Sequence, residues 1–165
     1  MRLRESGQPA EAREQFLALA EELPGDTQVA YQTAWVHDVL GLEVDAVPHY
    51  QRALEIPGGP GSLSAGDRAD ALLGLGSTYR VLGRYEESVD TLTAASAEFP
   101  ENGALKAFLA MALFNVGRHH DAMELLLTLV ATTSDDPNVA EYRPAIQHYA
   151  QDLNETVESV PESHP

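Results

Sequence analysis

Four glycines give this chain a period: Gly7, Gly41, Gly83 and Gly117 stand 34, 42 and 34 residues apart. Five residues after each comes a small side chain, Ala12, Ala46, Ser88 or Ala122, and just before the small one an acidic residue, Glu11, Asp45, Glu87 or Asp121. Four residues further on stands a bulky apolar group: Phe16, Tyr50, Leu92, Leu126. Self-similarity at this spacing restricts the chain to a stack of like units. Each unit covers the apolar face of the one before it, and together they bury one continuous core.

Each glycine separates two amphipathic segments. There it can take the positive φ that ends one helix and lets the next turn back antiparallel. The acidic residue then falls in the first turn of the second helix, where the helix dipole favours negative charge. The pattern predicts helices near 9–22, 27–40, 45–56, 67–82, 85–98, 103–116 and 119–132, with a short helical stub at 2–6. Ala12, Phe16, Leu19 and Leu23 recur at helical spacing, as do Val89, Leu92, Ala95 and Phe99. Such stripes are core-forming.

The longer middle period comes from PGGPGSLSAGD, 57–67, whose glycine and proline density excludes continuous helix. Two readings stay open for it: a tolerated surface insertion, or a lip over a binding surface. Ser64 with Asp67 matches a capping box that opens the next helix. Past Thr133, Pro137 can begin a last helix on which Ile146, Tyr149, Ala150 and Leu153 form a stripe. That helix is expected to cap the face of the helix at 119–132, with Pro144 either kinking it or starting its regular part. A single domain over 1–155 is expected, followed by a frayed acidic tail at 156–165.

The charge narrows the partners. The formal net charge is −16, from 26 acidic residues against nine arginines and Lys106. Nucleic acid is disfavoured because the basic residues are scattered singly. If electrostatics steers a partner, that partner is basic. Cysteine is absent, which excludes disulfides, thiolate metal sites and cysteine nucleophiles. The stretch MRLRESGQPAEAREQF has no apolar core of signal-peptide length, and no run of about 18 apolar residues occurs. The expectation is a cytoplasmic protein with no membrane partner.

The runs GLGSTYRVLGRYEESV and FLAMALFNVGRHHDAMELLL resemble tetratricopeptide repeats, in the wording of short standalone bacterial members. The family motif is best kept in the third unit, by Leu75, Gly76, Tyr79, Gly83 and Pro100. The fourth unit carries Ala110 for the motif glycine and Leu113 for its tyrosine, and the second carries His37 for the tyrosine. The resemblance implies an all-α, right-handed solenoid of about 3.5 helical hairpins with a C-terminal capping helix. It further implies that the first helices line a concave groove for a partner's peptide or helix.

Carried over slot by slot, that groove comprises Gln28, Tyr31, Trp35 and Asp38 in the second unit and Asp70, Leu73, Ser77 and Arg80 in the third. In the fourth unit it comprises Ala104, Ala107, Met111 and Asn115. These are not the Lys, Arg and Asn with which chaperone-binding members clamp a terminal carboxylate, so such a clamp is not expected. Trp35 reads equally as a binding hot spot and as inter-repeat core.

Other chemistry finds little support in the sequence. His37 and Asp38 are neighbours on one helix, about 100° apart, a poor catalytic pair. His120 and Glu124 lie one turn apart and invite a metal, but no motif completes a ligand set, and His119 aligns with the packing residue Tyr85. The sequence therefore reads as a non-enzymatic protein-interaction scaffold without catalytic residues, cofactor or metal. The alternatives are a homodimer formed through the groove or the N-terminal edge, and a metal-binding protein or enzyme using His119 and His120.

Overall fold

The computed structural model describes residues 9–55 and 61–156. Gly7, the stub at 2–6, residues 56–60 of the insertion and the tail beyond 156 lie outside the described residues. Within them run eight helices and no strand: α1 (Pro9–Glu22), α2 (Thr27–Val39), α3 (Glu43–Leu54), α4 (Ala65–Val81), α5 (Tyr85–Glu98), α6 (Gly103–Asn115), α7 (His119–Thr133) and α8 (Pro137–Gln151).

The two kinds of helix start differently. Each helix that opens a hairpin has a side-chain cap: Asp26 accepts from the Val29 N–H, Ser64 from Asp67, Asn102 from Ala104 and Leu105, and Asp136 from Asn138. These oxygens satisfy donors that a helix start otherwise leaves unpaired. The returning helices α3, α5 and α7 have no such cap, because the preceding glycine does the work. Gly41, Gly83 and Gly117 have φ of 70°, 74° and 80°. At the second of these, the Gly83 N–H donates to the Arg80 carbonyl at 3.1 Å and the Arg84 N–H to the Tyr79 carbonyl at 2.8 Å. The same pair of bonds recurs at the other two glycines. This is the Schellman arrangement, which closes one helix and delivers the next residue as the start of its partner. It also explains why α3 begins two residues earlier than the sequence suggested: Leu42 itself serves as the cap residue.

The repeated small residues sit at helix crossings. Ala12, Ala46, Ser88 and Ala122 are all buried, and the Ser88 hydroxyl donates to the Gly76 carbonyl at 2.7 Å. Gly76 leaves no room for a side chain, since a Cβ there would lie 2.5 Å from Leu92 Cγ. One buried cluster joins α2, α3 and α4, a second joins α5, α6 and α7, and α4 contributes to both through Leu75 on one side and Leu72 and Leu73 on the other.

The stacking sets the curvature. First helices approach one another, α2 against α4 and α4 against α6, whereas the second helices make no comparable approach among the described residues. The array is therefore tighter along its first helices, and that side is its inner face.

Two expectations need correcting. The insertion does more than pass over the surface: Leu63 is buried in the cluster with Tyr50 and Leu75, and the Thr27 hydroxyl donates to the Gly61 carbonyl at 2.7 Å. The capping helix forms and runs unbroken through Pro144, with Arg143 Nε donating to the Ala131 carbonyl near the end of α7. However, α8 packs on α7 without approaching α6. Of its expected stripe only Ala150 is buried, while Tyr149 and Leu153 stay exposed, and Met123, Leu126 and Val130 of α7 remain uncovered.

Candidate functional site

The inner face carries a cleft of about 480 Å³ built from α2, α4 and α6, with α3 contributing at one side. Six residues that the sequence placed in the groove come together in it: Tyr31, Trp35, Asp38, Asp70, Leu73 and Ser77. Helical spacing accounts for this, because Tyr31, Trp35 and Asp38 on α2, and Asp70, Leu73 and Ser77 on α4, each follow one face at intervals of three or four.

Their accessibilities differ. Tyr31 is only 2% exposed, so it forms the wall of the cleft from within the core. Trp35 is half-buried: it packs against Ala12, Phe16 and Val36 and also lines the cleft. The tryptophan is thus core on one edge and surface on the other.

Asp38 joins three helices. The Tyr50 hydroxyl on α3 donates to Oδ2 at 2.7 Å, and the Thr78 hydroxyl on α4 stands 2.8 Å from Oδ1. Thr78 is also 2.8 Å from the Gly74 carbonyl, and its one proton serves both acceptors. Burial pushes the Asp38 carboxyl above the usual aspartate range; the nearby Glu43 adds to the rise, while the two hydroxyls and His37 oppose it. Tyr50, Thr78, Val39, Glu43 and Phe108 also line the cleft and were not foreseen. Phe108 could have been found by register, since it occupies the slot of Gly74 one repeat later.

The other groove residues lie elsewhere. Arg80, Met111 and Asn115 line a second hollow of about 290 Å³ between α6 and α7. Gln28 is exposed beside Thr27 and Gly61, and Ala107 and Ala104 lie in neither cavity. The cleft's charged lining residues are all acidic, Asp38, Glu43 and Asp70.

His37 and His119 are each engaged by their neighbours. His37 is buried; its Nδ1 lies 2.7 Å from the Thr33 carbonyl, and its Nε2 accepts from Arg13 Nε at 3.1 Å. This pattern places the ring hydrogen on Nδ1 and leaves neither nitrogen for chemistry. The His119 ring lies against Phe114 with centroids 4.6 Å apart. Among the described residues no group of three or more His, Asp or Glu side chains converges as a metal site. None of the described helices is long and apolar enough to cross a membrane.

Among curated proteins, no sequence matches this one. Compared with known protein families, residues 27–153 match the tetratrico peptide repeat. Together with hairpins punctuated by Gly41, Gly83 and Gly117 and stacked along their first helices, that match covers most of the chain. The chain belongs to the tetratricopeptide repeat family.

Proposed function

We propose that this protein is a non-enzymatic interaction scaffold that receives a peptide or helix of a partner protein in the cleft of its inner face. Repeats of this family are generally protein-interaction modules. The observation that carries the reading here is the cleft itself, which crosses three successive first helices and combines the half-buried indole of Trp35 and the apolar Leu73 and Phe108 with an all-acidic charged lining. Trp35 offers a large, partly exposed aromatic ring, the kind of group that dominates binding energies. Asp70 and Glu43 at the cleft, in a chain of net charge −16, favour a basic segment.

The test uses a partner captured from the native host. Titrating it should change the emission of Trp35, the single tryptophan. Trp35→Ala should weaken binding by roughly thirtyfold, matching about 2 kcal/mol for a hot spot. Asp90→Ala, exposed on α5, should have no effect. If Trp35→Ala remains folded and binds normally, the cleft is not the recognition surface.

A further inference from the structure

The second repeat carries His37 where the family motif has tyrosine, and that histidine holds the outermost described helix. Among the described helices, α1 packs on α2 alone. It contributes to neither of the two large buried clusters; its seat is a small one of Ala12, Phe16 and Val36, against which Trp35 and Leu40 pack. Beside that seat, Arg13 Nε donates to Nε2 of the buried His37 at 3.1 Å. An element held by one neighbour and a few apolar contacts can open while the rest of the fold stays closed.

The Arg13 contact requires a neutral ring. His37 Nδ1 donates to the Thr33 carbonyl at 2.7 Å, so Nε2 is the position left for a second proton, and it faces the guanidinium. A proton there removes the acceptor and sets two positive N–H groups against each other. The same ring stacks on His49 of α3, with centroids 5.2 Å apart and planes 26° from parallel. Burial holds the His49 imidazole below the ordinary histidine range, His37 and Arg52 lower it further, and Asp45 opposes them. Asp38 favours a charged His37, but its oxygens are engaged by Tyr50 and Thr78. The charged groups around the pair are thus Arg13 on α1, Asp38 on α2, and Asp45 and Arg52 on α3, and the cation in direct contact with His37 is the one that α1 supplies. Moving α1 away frees Nε2, so the released state binds a proton that the docked state refuses, and falling pH favours release.

We infer that α1 is an acid-released latch, docked while His37 is neutral and let go when the His37–His49 pair takes up a proton. Docking is complete above about pH 6.5, the ordinary histidine value, and weakens as pH falls below it. Release uncovers the edge of Trp35 that packs against α1. The latch needs no partner, so its failure would leave the reading of the cleft standing.

Hydrogen exchange of the full chain between about pH 7.5 and 5.5, where most carboxylates stay ionised, tests the latch. After correction for the intrinsic pH dependence of exchange, protection of the α1 amides should fall by up to about tenfold per pH unit below about 6.5 for each proton taken up. The amides of α5 should keep theirs, and the Trp35 emission should move to longer wavelength over the same range. In Arg13→Gln the neutral amide can donate to Nε2 or accept from it, so α1 protection should stay high and flat. His37→Gln keeps an acceptor toward Arg13 without a titrating group, and its α1 protection should not vary with pH. Constant α1 protection in the parent, or an equal loss in α5, would overturn the latch. A pH dependence that survives in either variant would overturn the Arg13–His37 contact as its cause.

Discussion

Replacing Gly83 isolates a single physical quantity, the conformational cost of a left-handed turn. A Cβ built at Gly83 meets nothing within 4 Å, so a substituent has room, yet the backbone holds φ at +74°. An L-residue in that region costs about 1–2 kcal/mol. Alanine recovers about 0.4–1 kcal/mol by restricting the unfolded chain, for a net loss of about 1 kcal/mol. Valine, branched at Cβ, should lose about 2 kcal/mol. For a chain of this size each kcal/mol corresponds to roughly 2–4 °C, so Gly83→Val should melt about 4–8 °C below the parent. Gly25 is the control, because a Cβ there also meets nothing within 4 Å and its φ is not positive. Gly25→Ala should melt at or above the parent temperature. Thermal melts followed by circular dichroism, checked by urea unfolding with an unchanged m-value, measure all three variants. A Gly83→Val protein that melts like Gly25→Ala would show that the turn does not need its positive φ.

Two further predictions concern the core and the cleft. Gly76→Ala should cost about 1–2 kcal/mol in urea unfolding, because the new Cβ lies 2.5 and 2.7 Å from two carbons of the fully buried Leu92; overpacking of about 1–3 kcal/mol outweighs the gain of about 1 kcal/mol from replacing glycine in a helix. Stabilisation by the alanine would contradict the close packing of α4 on α5. Asp38 has a folded-state pKa above its unfolded value, so folding is favoured when the carboxyl is protonated, and the advantage is lost as pH rises through the folded pKa. The stability of the parent relative to Asp38→Asn should therefore decline as pH rises from about 4, and a difference independent of pH would show that burial does not govern this group.

What the sequence revealed and what it hid follow different ranges of interaction. Gly41, Gly83 and Gly117 were legible because a left-handed backbone is a property of one residue. Ala46 and Ser88 were legible because close helix crossings recur at the period. Trp35, Asp38, Leu73 and Ser77 were named by the groove slots that the tetratricopeptide resemblance implies, and helical spacing explains why those slots share one cleft. How deep each would lie was not legible. Tyr31 sank into the core because α3 and α4 both close over it, and Asp38 is tied by Tyr50 and Thr78 from two other helices. The exposed Glu98 accepts two hydrogen bonds from Arg68, 30 residues away on α4, a pairing that no local spacing marks. Leu63 belongs to no periodic run, so only the folded neighbours Tyr50 and Leu75 mark it as core.

Leu63 and Ser64 also give the connector between α3 and α4 a mechanical independence. The seat of Leu63 and the cap at Ser64 fix the start of α4 from its own side, and Thr27 holds the chain at Gly61 just before them. The third hairpin thus takes its phase from an anchor downstream of the extra residues. Insertions or deletions before Gly61 should therefore leave the pitch of the array from α4 onward unchanged, much as a spliced rope keeps its lay beyond the splice.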